Sequence, residues 1–177
     1  GYTLLGDTRF QRAQFWLGQG ANGKGTLANI IQALHNRTAA IQLDDLGGFK
    51  TSVLLGASLI YCDEAPCNRI NESLLKTLIA GEQCLVDRKH RAPLSTRIFG
   101  KWLVLGNCIP TIKDATHGFW RRWDFVPFSQ TIPPERCDPL LATRIIEHEL
   151  SGVLNWALDG LTRLLARGRF DEHLPQA

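Results

Sequence analysis

The chain has 177 residues, 44% hydrophobic and 21% charged, with a formal net charge of +3. That describes one ordinary globular domain with a real core; no apolar run reaches the length of a membrane span, and no signal peptide opens the chain. A net charge this small does not by itself point to nucleic acid, so the placement of the basic residues must carry any such argument.

The sequence contains no methionine, which predicts a piece of a longer protein. Cys62, Cys67, Cys84, Cys108 and Cys137 form no CxxC pair and leave an odd one over. They read as reduced, mostly buried thiols of a cytosolic protein. The five histidines are scattered without ligand spacing, which argues against zinc.

In chain order, residues 1–14 read as the tail of a preceding segment. Phe15 to Leu17 is a short apolar strand that stops at Gly18, and Leu27, Ile30, Ile31 and Leu34 give Thr26 to Leu34 helical spacing. Between them runs Gly18-Gln19-Gly20-Ala21-Asn22-Gly23-Lys24-Gly25-Thr26. Strand, glycine loop, lysine and helix make a phosphate cradle. The glycines let backbone N–H groups turn inward, the helix start adds its positive end, and Lys24 reaches the outer phosphates. The pattern asks for Ser or Thr after the lysine, to bind Mg²⁺. Gly25 stands there instead, leaving Thr26, one place late, or water to fill the role. A glycine turn beside a solvated lysine is the plainer alternative; the flanking strand and helix favour nucleotide.

Ala39 to Leu43 suits a second strand, and Asp44 to Ser58 is glycine-interrupted with room for a short helix. Leu59 to Cys62 is a buried strand delivering Asp63 and Glu64. Alone this would be a strand ending in a polar turn. Downstream of a phosphate loop, it supplies one acid for Mg²⁺ and one to polarise the attacking water. Asn71 to Ala80 is a short amphipathic helix. Gln83 to Val86 and Leu94 to Phe99 read as two strands, and their connector gathers Arg88, Lys89, His90 and Arg91. This is either a solvated loop or a contact for a phosphate backbone. Lys101 to Gly106 is another apolar strand, capped by Asn107, which either orients water or the γ-phosphate or sits in an ordinary turn before Pro110. Arg121 and Arg122 precede a short strand within Trp123 to Phe128, plainly as a cation–π or salt-bridge pair. Pro139 to Arg167 is helical with its leucines mostly on core spacing.

Taken together, Gly18 to Thr26, Cys62-Asp63-Glu64, Leu75-Lys76 with Gly81-Glu82, Leu105-Gly106-Asn107 with Pro110, and Arg121-Arg122 before Val126-Pro127-Phe128 resemble a known family. It is similar to the superfamily III helicase domain of phage and plasmid primase-helicases, related to the poxvirus helicase-primase, over about Phe15 to Phe170. The closing Glu149 to Leu161 also resembles that family's helical end.

The resemblance implies an α/β fold: a P-loop, AAA+-like three-layer sandwich with a central, mostly parallel sheet, a basic β-hairpin insertion and a C-terminal helical segment. Residues 1–14 would be the preceding tail, 15–135 the core and 136–177 the helical segment. It implies ATP and Mg²⁺ as cofactors, hydrolysis at subunit interfaces of a homo-hexameric ring, single-stranded or forked DNA as partner, and a primase module on the same full-length chain. It also implies Asn107 as sensor, Arg122 or Arg121 as a finger toward a neighbouring subunit, with Arg122 favoured because an aromatic residue follows it, and Lys89-His90 as the tip of a DNA-gripping hairpin. No membrane role and a cytoplasmic location go with it. Two rivals remain: an ATP-gated loader ring with weak turnover, favoured only by Gly25, and a small-molecule P-loop kinase, which the paired acids and Asn107 oppose.

Overall fold

A computed structural model describes residues 1–113 and 116–170; the last seven residues of the expected 136–177 segment lie outside them. The centre is a five-stranded sheet in the order β2-β3-β6-β1-β7, built from β1 (Ala13–Leu17), β2 (Thr38–Ala40), β3 (Leu59–Cys62), β6 (Lys101–Gly106) and β7 (Trp123–Pro127). Every neighbouring pair in it is parallel. Burial on both faces explains why the inner strands β3 and β6 read as largely continuous apolar runs, whereas the edge strands β2 and β7 are only partly covered.

Side chains split cleanly between the two faces. Phe15, Ile60, Cys62, Trp102 and Val104 enter one core cluster, while Trp16, Leu59, Leu103 and Leu105 enter the other with Ala28 of α1 (Lys24–Ala33). The result is the α/β layered fold expected from the sequence. The larger cluster also takes in Leu54 from the 3-10 stretch Gly48–Leu54 and Leu75, Leu78 and Ile79 from α2 (Glu72–Ala80). Asn71 caps α2 by accepting from the Leu74 N–H at 3.1 Å, and Gly81 ends it in the left-handed conformation.

A separate antiparallel hairpin joins β4 (Cys84–Arg88) to β5 (Arg91–Thr96). Most of the expected connector is therefore strand. The turn shrinks to Lys89-His90, with His90 at φ 58°, and Pro93 is tolerated because a two-stranded ribbon has only edges.

After β6 come the short α3 (His117–Trp120) and β7. The C-terminal segment is two helices, α4 (Leu141–His148) and α5 (Leu150–Arg167), parted at Glu149, whose φ of −128° leaves the helical region. Their expected core packing is only partly met. Ala157 and Leu164 are buried, but Leu154, Leu158 and Leu165 are exposed, because α4 lies on α1 and α5 on the Tyr2–Leu4 turn, each by one side only. That turn is itself anchored: Tyr2 is buried, and its hydroxyl donates to the Arg12 carbonyl at 3.0 Å. Among the described residues no helix is long and apolar enough to cross a membrane.

Candidate nucleotide site

All five parallel strands run the same way, so the loops leaving β1, β3 and β6 gather at one end of the sheet. The β1 loop is held there by its neighbours. The Gly18 N–H donates to the Gly106 carbonyl at 3.1 Å, and the Phe128 N–H donates to the Leu17 carbonyl at 2.7 Å. Gly18 is required by space: a Cβ would meet the Phe128 carbonyl oxygen at 2.3 Å. Gly23 is required by conformation, since it stands at φ 81° as the N-cap of α1.

Lys24 is not the solvated side chain of an open loop. It is 8% exposed, and its Nζ donates to the Gly18 carbonyl at 2.6 Å, the Gln19 carbonyl at 3.1 Å and Asn22 Oδ1 at 3.1 Å. An ammonium has three donors, and all three are used. Burial lowers its pKa, with Asp63 pulling weakly the other way. Asn22 is the hinge of this arrangement, since its Nδ2 also donates to the carbonyls of Gln19 and Phe128.

Asp63 and Glu64 follow the end of β3, and Glu64 takes the left-handed conformation at φ 52°. The pairing of β3 with β6 continues past the acids, because the Ala65 N–H donates to the Leu105 carbonyl at 2.7 Å. That bond places the acidic turn beside Asn107. Gln42 steadies the same turn by donating to the Asp63 carbonyl at 2.8 Å. Burial raises the pKa of the Tyr61 phenol, and the negative charge of Asp63 adds to the shift.

A cleft of about 320 Å³ is lined by Gly20 to Thr26, Asp63, Glu64, Leu105, Gly106 and Asn107. One concavity thus holds most of the glycine loop, both acids and the polar cap of β6. Gly18 and Gln19 line the adjoining cavity instead, with Asn107, Ile109 and Phe128. Gly25 faces open space, so nothing steric forbids a side chain there. A somewhat larger cavity, about 540 Å³, lies at the other end of the sheet around Leu5, His35, Ser58 and Arg97, and no carboxylate lines it.

The hairpin tip and the arginines lie apart from this cleft. Arg88 and Arg91 face each other across the last pair of the hairpin, a like-charge arrangement that disfavours pairing. Arg88 eases it by folding its guanidinium onto the Ala92 carbonyl, at 2.8 Å from Nη2, while Lys89, His90 and Arg91 are exposed. Arg121 and Arg122 precede β7, whose Trp123 pairs with Ala13 and whose Pro127 pairs with Leu17. Roughly 13 Å of strand therefore separates them from the cleft end of the sheet. Arg122 is half-buried, donates to the Gly118 carbonyl, and has a buried Nε without a partner; burial lowers its pKa. Arg121 is exposed and makes one long bond to Gln11 Oε1 at 3.4 Å. Of the two, Arg122 is the packed arginine.

The reading of five free thiols needs correction: Cys67 and Cys108 form a disulfide with Cα atoms 5.7 Å apart, Cys62 and Cys84 are buried thiols, and Cys137 is exposed. Sequence spacing hides the pair because 41 positions separate its members. Parallel neighbours β3 and β6 bring their exit loops together.

Residues 16–122 match a family described as being of unknown function, DUF5906, and this covers more than half of the 177 residues. The chain belongs to that family. No curated protein matches it. Among solved structures it is similar to the NrS-1 C terminal region, at TM-score 0.64 and 17% identity, over 81% of this chain and 36% of that one. It is also similar to the JCV helicase, at TM-score 0.55 and 17% identity, over 86% of this chain and 45% of that one. At these identities the likeness is one of fold, and the chain spans less than half the length of either relative.

Proposed function

We propose that this DUF5906 domain is the ATP-hydrolysing motor of a DNA helicase, working at subunit interfaces of a homo-oligomeric ring, with a hexamer as the expected size. The observation that carries the reading is the single cleft shared by Lys24, Asp63, Glu64 and Asn107. Its fold likeness to a helicase structure supports the class of activity.

In this reading the loop from Gly18 to Thr26 cradles the ATP phosphates. Lys24 exchanges its three loop oxygens for phosphate oxygens, and the positive end of α1 adds to the attraction. The donor set fits Mg²⁺ brought in with the nucleotide: Asp63 and the Thr26 hydroxyl offer oxygen ligands, and among the described residues no cluster of three metal-binding side chains competes for it. Bound there, the ion would neutralise charge on the phosphates. Glu64 takes the proton of the attacking water, and Asn107 orients that water or the γ-phosphate.

The arginines point to a neighbouring subunit. On their own chain they precede the end of β7 that is far from the cleft, which favours service in trans, and a head-to-tail ring presents each cleft to a different surface of the next subunit. Exposure favours Arg121 as the finger over Arg122, the reverse of the sequence expectation. The exposed basic tip Lys89-His90, with Arg88 and Arg91 behind it, is proposed to track the phosphate backbone of single-stranded or forked DNA. A primase module on the full-length chain and a cytoplasmic location are part of the same proposal.

The experiment is DNA-stimulated ATP turnover by the full-length protein. Stimulation should be lost in Lys89→Ala/His90→Ala while basal turnover stays near the parent's, and DNA affinity should fall with added salt. Undiminished stimulation in the double variant would return the tip to a solvated turn. Turnover driven by a small acceptor instead of DNA would favour a kinase.

A further inference from the structure

The Cys67–Cys108 bridge has no part in the mechanism above, yet it joins the two loops that carry Glu64 and Asn107. Beyond the last paired residues of β3 and β6, those loops are tied at three further levels. The Ala65 N–H donates to the Leu105 carbonyl at 2.7 Å. The Thr111 N–H and hydroxyl both donate to the Cys67 carbonyl, at 3.1 and 3.0 Å. Between them sits the covalent bond, one residue after Asn107 and three after Glu64.

Two observations give that position meaning. Glu64 holds a left-handed backbone without being glycine, a conformation that persists only where the surroundings fix it. Cys67 is also exposed, and Cys108 lines the open cavity of about 530 Å³ beside Asn107. A reductant reaches this pair, whereas Cys62 and Cys84 are buried thiols.

We propose that the Cys67–Cys108 disulfide is a positioning bridge: it holds the Glu64 turn and Asn107 in one arrangement across the cleft, and a dithiol reductant releases them and slows turnover. The effect on turnover rests on reading the cleft as an ATPase site. In the switching step a thiolate of the dithiol attacks one bridge sulfur and expels the other cysteine as thiolate, which is then protonated. The second thiol of the reductant closes its own ring and expels the first cysteine. Two electrons pass to the bridge, leaving two cysteine thiols and an oxidised, cyclic reductant. A disulfide oxidant such as oxidised glutathione reverses the exchange.

The test uses the full-length protein with and without dithiothreitol. Alkylation of the unfolded, unreduced chain followed by mass spectrometry should label Cys62, Cys84 and Cys137, and label Cys67 and Cys108 only after reduction. Amide hydrogen exchange at Ala65 and Thr111 should quicken on the order of tenfold after reduction. Turnover should fall on the order of tenfold at unchanged KM, since a small misplacement of reacting groups is enough, and the glycine loop is untouched. Cys67→Ser/Cys108→Ser should sit at the reduced rate with or without dithiothreitol, and oxidised glutathione should restore only the parent. Labelling of Cys67 and Cys108 without reductant, unchanged exchange at both amides, or a reduced enzyme as fast as the oxidised one overturns the proposal. If the protein hydrolyses no ATP in either state, the ATPase reading fails, and the exchange measurement still decides whether the bridge positions the two loops.

Discussion

Among the described residues two lysines are buried, and they sit at opposite ends of the same sheet. Lys24 is 8% exposed and has an oxygen for each of its three donors. Lys101, at the start of β6, is 1% exposed and donates to the Phe99 carbonyl at 2.8 Å, with its ammonium over the Tyr2 ring, 5.8 Å from the centroid. Burial pushes its pKa down to about 8, against a weak opposite pull from Asp7. The first lysine opens onto a cleft with two carboxylates. The second opens onto packing. A buried charge becomes a candidate for chemistry when its partners are exchangeable and face a cavity, not merely because it is buried.

The contrast can be broken first at Lys24. Lys24→Ala should reduce ATP turnover on the order of a thousandfold or more, as for other fixed charges facing a transferring phosphoryl group. It should leave the fold intact, because the residues that supply the three released oxygens line the cleft or the open cavity beside it, where water can reach them. Circular dichroism beside a turnover assay separates these outcomes, and surviving turnover would remove the phosphate role.

The arginines give an effect of similar size by another route. Loss of a finger costs on the order of a thousandfold in rate, and we expect it for Arg121→Ala. Rings mixing Arg121→Ala with Lys24→Ala subunits should regain partial turnover where an intact loop meets an intact arginine. Arg122→Ala should act chiefly on stability. If Arg122→Ala is dead but folded and Arg121→Ala is active, the assignment reverses.

Lys101 supplies the smallest effect. On unfolding it returns to the ordinary lysine value of 10.5. Between about 8 and that value the unfolded chain binds the extra proton, so stability should rise with pH across this window. Lys101→Met should stabilise the domain at pH 7 by about 1–3 kcal/mol, as when other buried charges are replaced by apolar side chains. It should also flatten the rise, which denaturant melts from pH 7.5 to 10.5 would follow. A destabilised variant at pH 7 would mean that the Phe99 and Tyr2 contacts outweigh the burial of charge.

These cases mark what the sequence made legible. The inner strands β3 and β6 were readable because burial on both faces leaves them largely apolar, and the loop from Gly18 to Thr26 because its glycines and lysine lie close together in sequence. The acids and Asn107 were readable because each directly follows a buried strand. What stayed hidden depends on strand order. Only the adjacency of β3 and β6 brings Cys67 to Cys108, and only the seating of the Tyr2–Leu4 turn against β6 buries Lys101. The C-terminal leucines carried a helical period but no sign of which side would be covered. Arg121 and Arg122 are adjacent and chemically alike, and only the fold, which half-buries Arg122 against the Gly118 carbonyl and leaves Arg121 exposed, distinguishes the packed one.

The central claim is that the cleft of Lys24, Asp63, Glu64 and Asn107 hydrolyses ATP, and Glu64→Gln tests it most directly. The amide keeps the shape of the side chain and removes its basicity. With a fluorescent ATP analogue to follow binding and phosphate release to follow turnover, the variant should bind nucleotide as the parent does and lose turnover by about a hundredfold or more. A variant that turns over ATP at the parent's rate would contradict the account.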